Sequence, residues 1–230
     1  FNAFMNVLSA GDEIVAAAGL YGGTVELFED LEAFGITTKY VKENRPESYE
    51  ALITDKTRVI FAETIGNPKL DVTDIGAVAD MAHRHNLPLI IDNTVATPYL
   101  VKPLELGADI VVNSSSKYIN GNSDAISGIL TWGGKFKWDG ERYPGMKPYK
   151  KFGPMAYIAK LRNGLFRNTG ACLSPQNAFL NNLGLETLGL RMERHCSNAL
   201  ELAEFLRDLD AGLTVNYPGL PEHPDYELAK

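Results

Sequence analysis

Three short runs are almost wholly apolar: RVIFAE (58–63), LPLIID (87–92) and ADIVVNS (108–114). A strand with no polar face must be covered on both sides, which is the situation inside a parallel sheet flanked by helices. The intervening segments have the matching character. EIVAA (13–17) and ITTKYV (36–41) are two further strand candidates. Residues 24–35 form a helical pattern, with Thr24 as its N-cap and Val25, Phe28, Leu31 and Phe34 near helical spacing. Thr73 stands as a cap before 74–85, where Ile75, Val78, Ala79 and Ala82 line one face. AISGILTW (125–132) has the makings of an antiparallel or edge strand. Strand–helix alternation over about 110 residues predicts an α/β domain with a mostly parallel sheet. Such sheets receive ligands at the carboxyl ends of their strands. Glu63, Asp92 and the Ser114–Lys117 cluster fall at those ends.

Beyond residue 132 the pattern loosens. Residues 133–154 are rich in Gly, Pro, Lys and aromatics and predict a long solvated loop, with a substrate-gating or subunit-contact role as the sharper alternative. Helical character returns from 154, and Ser174 caps a helix beginning PQNAF. Residues 186–209 are amphipathic, with Leu188, Met192, Ala199, Leu202 and Leu206 as core contacts. LTVNY (213–217) is expected to open a second, smaller domain. The resulting division is a large ligand-binding domain over 1–175, connecting helices over 176–207, and the start of the small domain over 208–230. The chain opens FNAFM without an initiator Met, and Phe1, Phe4, Met5 and Leu8 share a helical face. We therefore expect a piece of a longer protein.

Composition removes several function classes. Asp plus Glu is 29 against 22 for Lys plus Arg, a net charge of −7, which argues against nucleic acid as partner because phosphate neutralisation needs a basic surface. No apolar run reaches the ~20 residues of a membrane helix. Two cysteines, Cys172 and Cys196, make no disulfide framework and suit a reducing cytoplasm. Both fall in helical surroundings, where a buried thiol is a small hydrophobe; His195 is likewise expected to be structural. There is no GxGxxG after a strand, no P-loop, no GxSxG and no HExxH. His83 and His85 are two apart on a helix and diverge, so no metal site is expected.

What remains is a carboxylate after one buried strand, Asp92, and a hydroxyl-rich turn with Lys117 after the next. A carboxylate in a dry site keeps a heterocyclic nitrogen protonated, a lysine supplies a Schiff-base amine, and serine hydroxyls cup a phosphate. Those are the requirements of pyridoxal 5′-phosphate. Taken singly, Asp92 as a helix cap and Lys117 as a surface residue are the plainer alternatives.

Six blocks carry a resemblance: GDEIV (11–15), YGGT (21–24), ETIGNP (63–68), DNTVATPYL (92–100), GADIVVNSSSKYINGNSD (107–124) and GLETLGLRMERHCSNALELAEFL (184–206). In order and spacing the chain resembles the Cys/Met-metabolism family of pyridoxal-phosphate enzymes, which have the type I (aspartate-aminotransferase-like) fold. The resemblance implies that Lys117 bonds the cofactor covalently and that Asp92 faces its ring nitrogen. It further implies that Tyr21 stacks on the ring and assists proton transfer. Ser114 and Ser116 then hold the phosphate, Asn67 lies near the 3′ oxygen, and Thr94 flanks the ring. Glu63 would stand behind these groups. The family's Gly-Gly-His after the lysine is replaced by Asn120-Gly121-Asn122. The family's upstream glycine-rich phosphate turn, its Tyr/Arg pair that reaches a neighbouring subunit, and its late substrate-binding arginine have no counterpart in this sequence. The active site is therefore expected to be incomplete, and this piece at best poorly active.

Residues 165–195 look most like the O-acetylhomoserine sulfhydrylase branch. That resemblance implies γ-replacement on a small amino-acid substrate, with sulfide or a thiol as second substrate and homocysteine (or methionine) and acetate as products. It also implies a homo-oligomer, a dimer of dimers with shared active sites. Methionine γ-lyase and cystathionine γ-synthase or γ-lyase activities use the same groups. An inactive or non-catalytic α/β binding protein is the alternative from another class.

Overall fold

The computed structural model describes residues 1–209 and 212–230. Its centre is a six-stranded sheet. The strands are β1 (Glu13–Ala16), β2 (Thr37–Tyr40), β3 (Thr57–Glu63), β4 (Leu89–Asp92), β5 (Ile110–Asn113) and β6 (Ile129–Trp132), in the order β2-β1-β3-β4-β5-β6. All neighbours are parallel except β5–β6, which are antiparallel. The three apolar runs are the central strands β3, β4 and β5. Their side chains from Val59 to Ala62, from Leu89 to Ile91, and at Ile110 and Val111 are buried. β2 and β6 form the edges and are only half covered.

Helix α1 (Asn2–Met5) precedes β1, and α2 (Gly22–Glu32), α3 (Pro46–Glu50), α4 (Ile75–Arg84) and α5 (Thr97–Leu100) fall between the strands. Phe4, Phe28 and Phe61 meet edge-to-face, with ring centres 5.0 to 5.4 Å apart, and lock α1 and α2 onto β3. Ile75, Val78, Ala79 and Ala82 of α4 are all buried. Two caps differ from expectation. α2 starts after Tyr21 rather than at Thr24, because Gly22 and Gly23 already belong to the helix. Asp74, not Thr73, caps α4 by accepting from Ala77 N at 2.9 Å; the Thr73 hydroxyl donates instead to Glu63 O at 2.6 Å. Phe34, expected on the apolar face, is exposed because the chain has left the helix there.

Residues 133–155 are not a solvated loop. Phe136, Trp138 and Tyr143 stack with Trp132 and Tyr157 into an aromatic cluster. Tyr143 Oη donates to Arg58 O at 2.9 Å and lies 3.3 Å from Asn86 O, and Arg142 donates to Thr57 O and His85 O. These carbonyls lie at or just before the starts of β3 and β4. The segment therefore closes the amino-terminal edge of the sheet, and its aromatic content is core rather than decoration. Its last residues, Pro144–Met155, form a 3₁₀ segment.

A helical stretch follows: α6 (Ala156–Leu161), one π turn at Arg162–Phe166 and α7 (Arg167–Thr169), ended by the left-handed Gly170. Cys172 then lies exposed outside any helix, contrary to expectation, its amide donating to Gly170 O; Cys196 is half-buried. Ser174 caps α8 (Pro175–Glu186) by accepting from Asn177 N. The long α9 (Leu188–Asp208) buries Leu188, Met192 and Ala203, while Leu202 is 57% exposed, against the expected core role. LTVNY forms no strand: among the described residues no sheet edge pairs with it, and Asn216 Nδ2 instead donates to Lys69 O. The chain closes on α10 (Tyr226–Ala229), and Asp225 just before it accepts from Val72 N.

Candidate active site

The order β2-β1-β3-β4-β5 reverses direction between β1 and β3, and α/β sheets open a crevice at such a reversal. Several hydrogen bonds cross this reversal, and one of them reaches the floor of the crevice. Tyr21 N, in the loop after β1, donates at 2.8 Å to Glu63 Oε1 at the end of β3. Glu63 is the register partner of Asp92 at the end of β4, so two carboxylates stand on adjacent strand ends. The turn after β5 brings Ser114 to Lys117 alongside. Ser114 N donates to Thr94 Oγ1, and Thr94 N donates to Asp92 Oδ1, both at 2.8 Å.

A cleft of about 870 Å³ opens over these strand ends, and all seven residues singled out in the sequence line it: Tyr21, Asn67, Asp92, Thr94, Ser114, Ser116 and Lys117. Tyr21 is 55% exposed, so its ring is available to a ligand. Lys117 is exposed as well. Ser116 is already engaged: its hydroxyl donates to Ser127 O at 3.1 Å and accepts from Ser127 N at 2.8 Å.

A polar layer supports the floor. Thr64 Oγ1 donates to Asn93 Oδ1, Asn93 Nδ2 to Val101 O, and Asn113 Nδ2 to Asn93 O. Below the serine turn, the fully buried Ser115 donates to Ser127 Oγ, which also receives Asn181 Nδ2 from α8. Buried polar groups joined in this way fix a single arrangement of the turn.

Burial raises both carboxyls. Glu63, 6% exposed, is pushed up to about 7, chiefly by desolvation and further by the charge of Asp92. Asp92 rises for the same first reason, opposed by its bonds to Thr94. A cation placed beside them would reverse this, because an opposite charge favours the ionised form.

Tyr118, Arg191 and His195 also line the cleft and escaped the sequence reading of the site. Tyr118 follows the singled-out lysine directly. His195 was expected to be structural, yet it borders the cleft and meets the Tyr118 ring edge-on at 5.6 Å. Both it and Arg191 come from α9, and nothing in a helical apolar pattern marks which polar positions face a cleft formed far earlier in the chain. His83 and His85 do diverge, the former to Asp109 and the latter to Glu50.

The donor set can be tested against a cofactor by its chemistry. A half-buried carboxylate on the floor, a lysine at the next strand end, hydroxyls in a tight turn and an open aromatic ring match the ring nitrogen, aldehyde, phosphate and π-face of pyridoxal phosphate. Fold and site thus define a cofactor-dependent α/β enzyme of the type I class. The chain belongs to the Cys/Met metabolism PLP-dependent enzyme family, whose model matches residues 1–230. It is 45% identical over 242 residues to the O-acetyl-L-homoserine sulfhydrylase of Corynebacterium glutamicum, covering 98% of this chain and 55% of that protein. It is 43% identical over 247 residues to the enzyme of the same name from Leptospira meyeri, covering 99% and 56%. The chain therefore spans about half the length of the curated relatives it matches.

Among solved structures, an O-acetylhomoserine sulfhydrylase from Wolinella succinogenes superposes with a TM-score of 0.90 at 41% identity, covering 99% of this chain and 66% of that one. A putative O-acetylhomoserine (thiol)-lyase from Campylobacter jejuni, also at 0.90, is 33% identical and covers 100% and 59%. That structure carries an N′-pyridoxyl-lysine-5′-monophosphate. No helix among the described residues is long and apolar enough to cross a membrane.

Proposed function

We propose that this chain is the cofactor-binding part of an enzyme that replaces the acetoxy group of O-acetylhomoserine with sulfide or a thiol. The observation that carries the reading is the convergence of Asp92, the serine turn and Lys117 on one cleft at successive strand ends. The similarity to named sulfhydrylases supports the choice of substrate.

Bound pyridoxal phosphate supplies an electron sink for carbanion chemistry. In this reading Lys117 Nζ would hold the cofactor covalently and, when free, would take the α-proton of the amino-acid substrate and return it. Asp92 would accept from the ring nitrogen, and that positive partner would lower its burial-raised affinity for a proton. The Tyr21 ring would cover the cofactor and assist proton transfer. Asn67 would hold the 3′ oxygen, Thr94 would keep Asp92 in place, and Ser114 would donate to the phosphate. Ser116 can donate there only by giving up Ser127 O. Overall, the Cγ–O bond breaks and a Cγ–S bond forms, so O-acetylhomoserine and hydrogen sulfide give homocysteine and acetic acid. A small-molecule amino acid and a sulfur nucleophile are thus the partners, in the cytoplasm. Homo-oligomerisation, as a dimer of dimers with shared active sites, belongs to the same proposal. So does the division into a large domain (1–175), connecting helices (176–207) and the start of a small domain (208–230).

The experiment uses the full-length enzyme loaded with pyridoxal phosphate. Homocysteine formed from O-acetylhomoserine and sulfide should outpace α-keto acid release from methionine or cystathionine; the reverse order assigns the protein to a lyase. Lys117→Ala should abolish borohydride-fixed cofactor and turnover, and retention of normal turnover would overturn the role of Lys117.

A further inference from the structure

Arg191 borders the cleft, where an arginine is readily taken for an anchor of an anionic substrate. Its hydrogen bonds point elsewhere. Nη1 donates to Tyr118 O at 2.7 Å, and Nη2 to Gly184 O at 2.8 Å and Ile119 O at 3.4 Å. Nε donates to Thr187 Oγ1 at 3.0 Å. A guanidinium has five N–H groups, and these contacts occupy most of them, three on backbone carbonyls. Two of those carbonyls belong to the residues immediately after Lys117.

The backbone is shaped to accept this contact. Gly121 has φ +79°, and a Cβ there would lie 2.5 Å from the guanidinium carbon. Gly184 lets α8 approach the carbonyls of Ile119 and Asn120 more closely than any side chain would allow. Asn120, fully buried, braces the segment from within: its Oδ1 accepts from Asn122 N and Asp124 N, and its Nδ2 donates to Asp124 Oδ1. The departure from Gly-Gly-His at 120–122 thus acquires a structural meaning. Asn120 supplies an internal brace for a loop that Arg191 holds from outside. The Lys117 side chain itself is exposed, so the position of its Nζ is inherited from this backbone.

We propose that Arg191 is a positioning residue for Lys117, clamping the carbonyls of 118 and 119 onto the α8–α9 junction, and not a ligand of the substrate. The proposal rests on the reading that Lys117 is the covalent lysine.

The test compares Arg191→Ala and Arg191→Lys in the full-length enzyme. In the cofactor-free protein, amide hydrogen exchange over 117–124 should quicken by ~10-fold in Arg191→Ala and by less in Arg191→Lys, which keeps the charge but not the fork. Exchange in β3 should not change. In the loaded enzyme kcat should fall by ~10-fold or more while KM for the amino-acid substrate stays within about threefold. Unchanged exchange overturns the proposal, as does a rise in KM with kcat preserved, the signature of lost substrate binding. Should the alanine variant fail to fold, Arg191→Lys and Thr187→Val, which removes the Nε partner together with the hydroxyl's own bond to Gly184 O, are read by the same criteria. Failure of the parent reading looks different: Lys117→Ala would then still fix cofactor with borohydride, whatever Arg191 does to exchange.

Discussion

Glu63 and Asp92 occupy matching positions on neighbouring strands, yet the structure gives them different work. Asp92 is held by Thr94 and faces the cleft, whereas Glu63 accepts Tyr21 N and so joins the two sides of the sheet reversal. Burial raises the folded-state Glu63 to about 7, above its unfolded value of roughly 4.3. The sign follows from linkage: its contribution is fully present below the unfolded value and is lost as pH rises toward about 7. Glu63→Gln keeps an oxygen for Tyr21 N and removes the titration. Urea midpoints of the cofactor-free variant should vary less with pH across that window than those of the parent protein; an equal slope would remove Glu63 as the cause.

Much of this site is visible in sequence because a parallel sheet delivers ligands to strand ends, so an acid after LPLII and a lysine after ADIVVNSSS stand out. Thr73 and Thr24 mislead for local reasons. Asp74 offers a better cap one position later, and two glycines let α2 start early.

At the scale of elements, the buried Asp109 ties three of them together at the edge of the sheet opposite the cleft. It lies just before β5, and its Oδ2 receives Leu89 N at the start of β4 and meets His83 Nε2 of α4, both at 2.9 Å. The hydrogen bond with Asp109, and then its charge, raise His83, against partial desolvation. The stabilisation is complete below the ordinary histidine value of roughly 6.5 and fades as pH climbs through the raised folded value. His83→Gln should therefore cost more stability at acidic than at alkaline pH, by under about 1 kcal/mol because the imidazole is partly exposed. Thermal melts on both sides of neutrality check this, and equal losses would refute it. The strands and α4 are legible because their periodicities are clean. Residues 133–155 are not, because glycines, prolines and lysines disguise a core-forming set of aromatics. Leu202 fails in the opposite sense: helical spacing identifies an apolar stripe without saying whether anything lies against it.

The molecule as a whole has two unlike ends. The carboxyl ends of the strands carry carboxylates, hydroxyls and a lysine around an open cleft, and their amino ends are sealed by packed rings. Stability should therefore depend on the closed end and chemistry on the open one. Trp138→Ala empties the middle of the ring cluster and should cost about 3–5 kcal/mol. The loss is measured by denaturant unfolding; a change below about 1 kcal/mol would show that the cluster is dispensable. The parallel sheet was predictable from alternation alone, but the sealed end was not, because Phe136, Trp138 and Tyr143 lie outside any strand or helix. The register pairs Trp132 with Ile110 at the start of β5, and Trp138 lies 5.6 Å from it, ring centre to ring centre. These are the only two tryptophans in the chain. Two indoles so close and tilted by 30° couple their excited states. Ultraviolet circular dichroism should then show a paired signal that vanishes in Trp138→Ala, giving an optical gauge of the sealed end that leaves the cleft unseen.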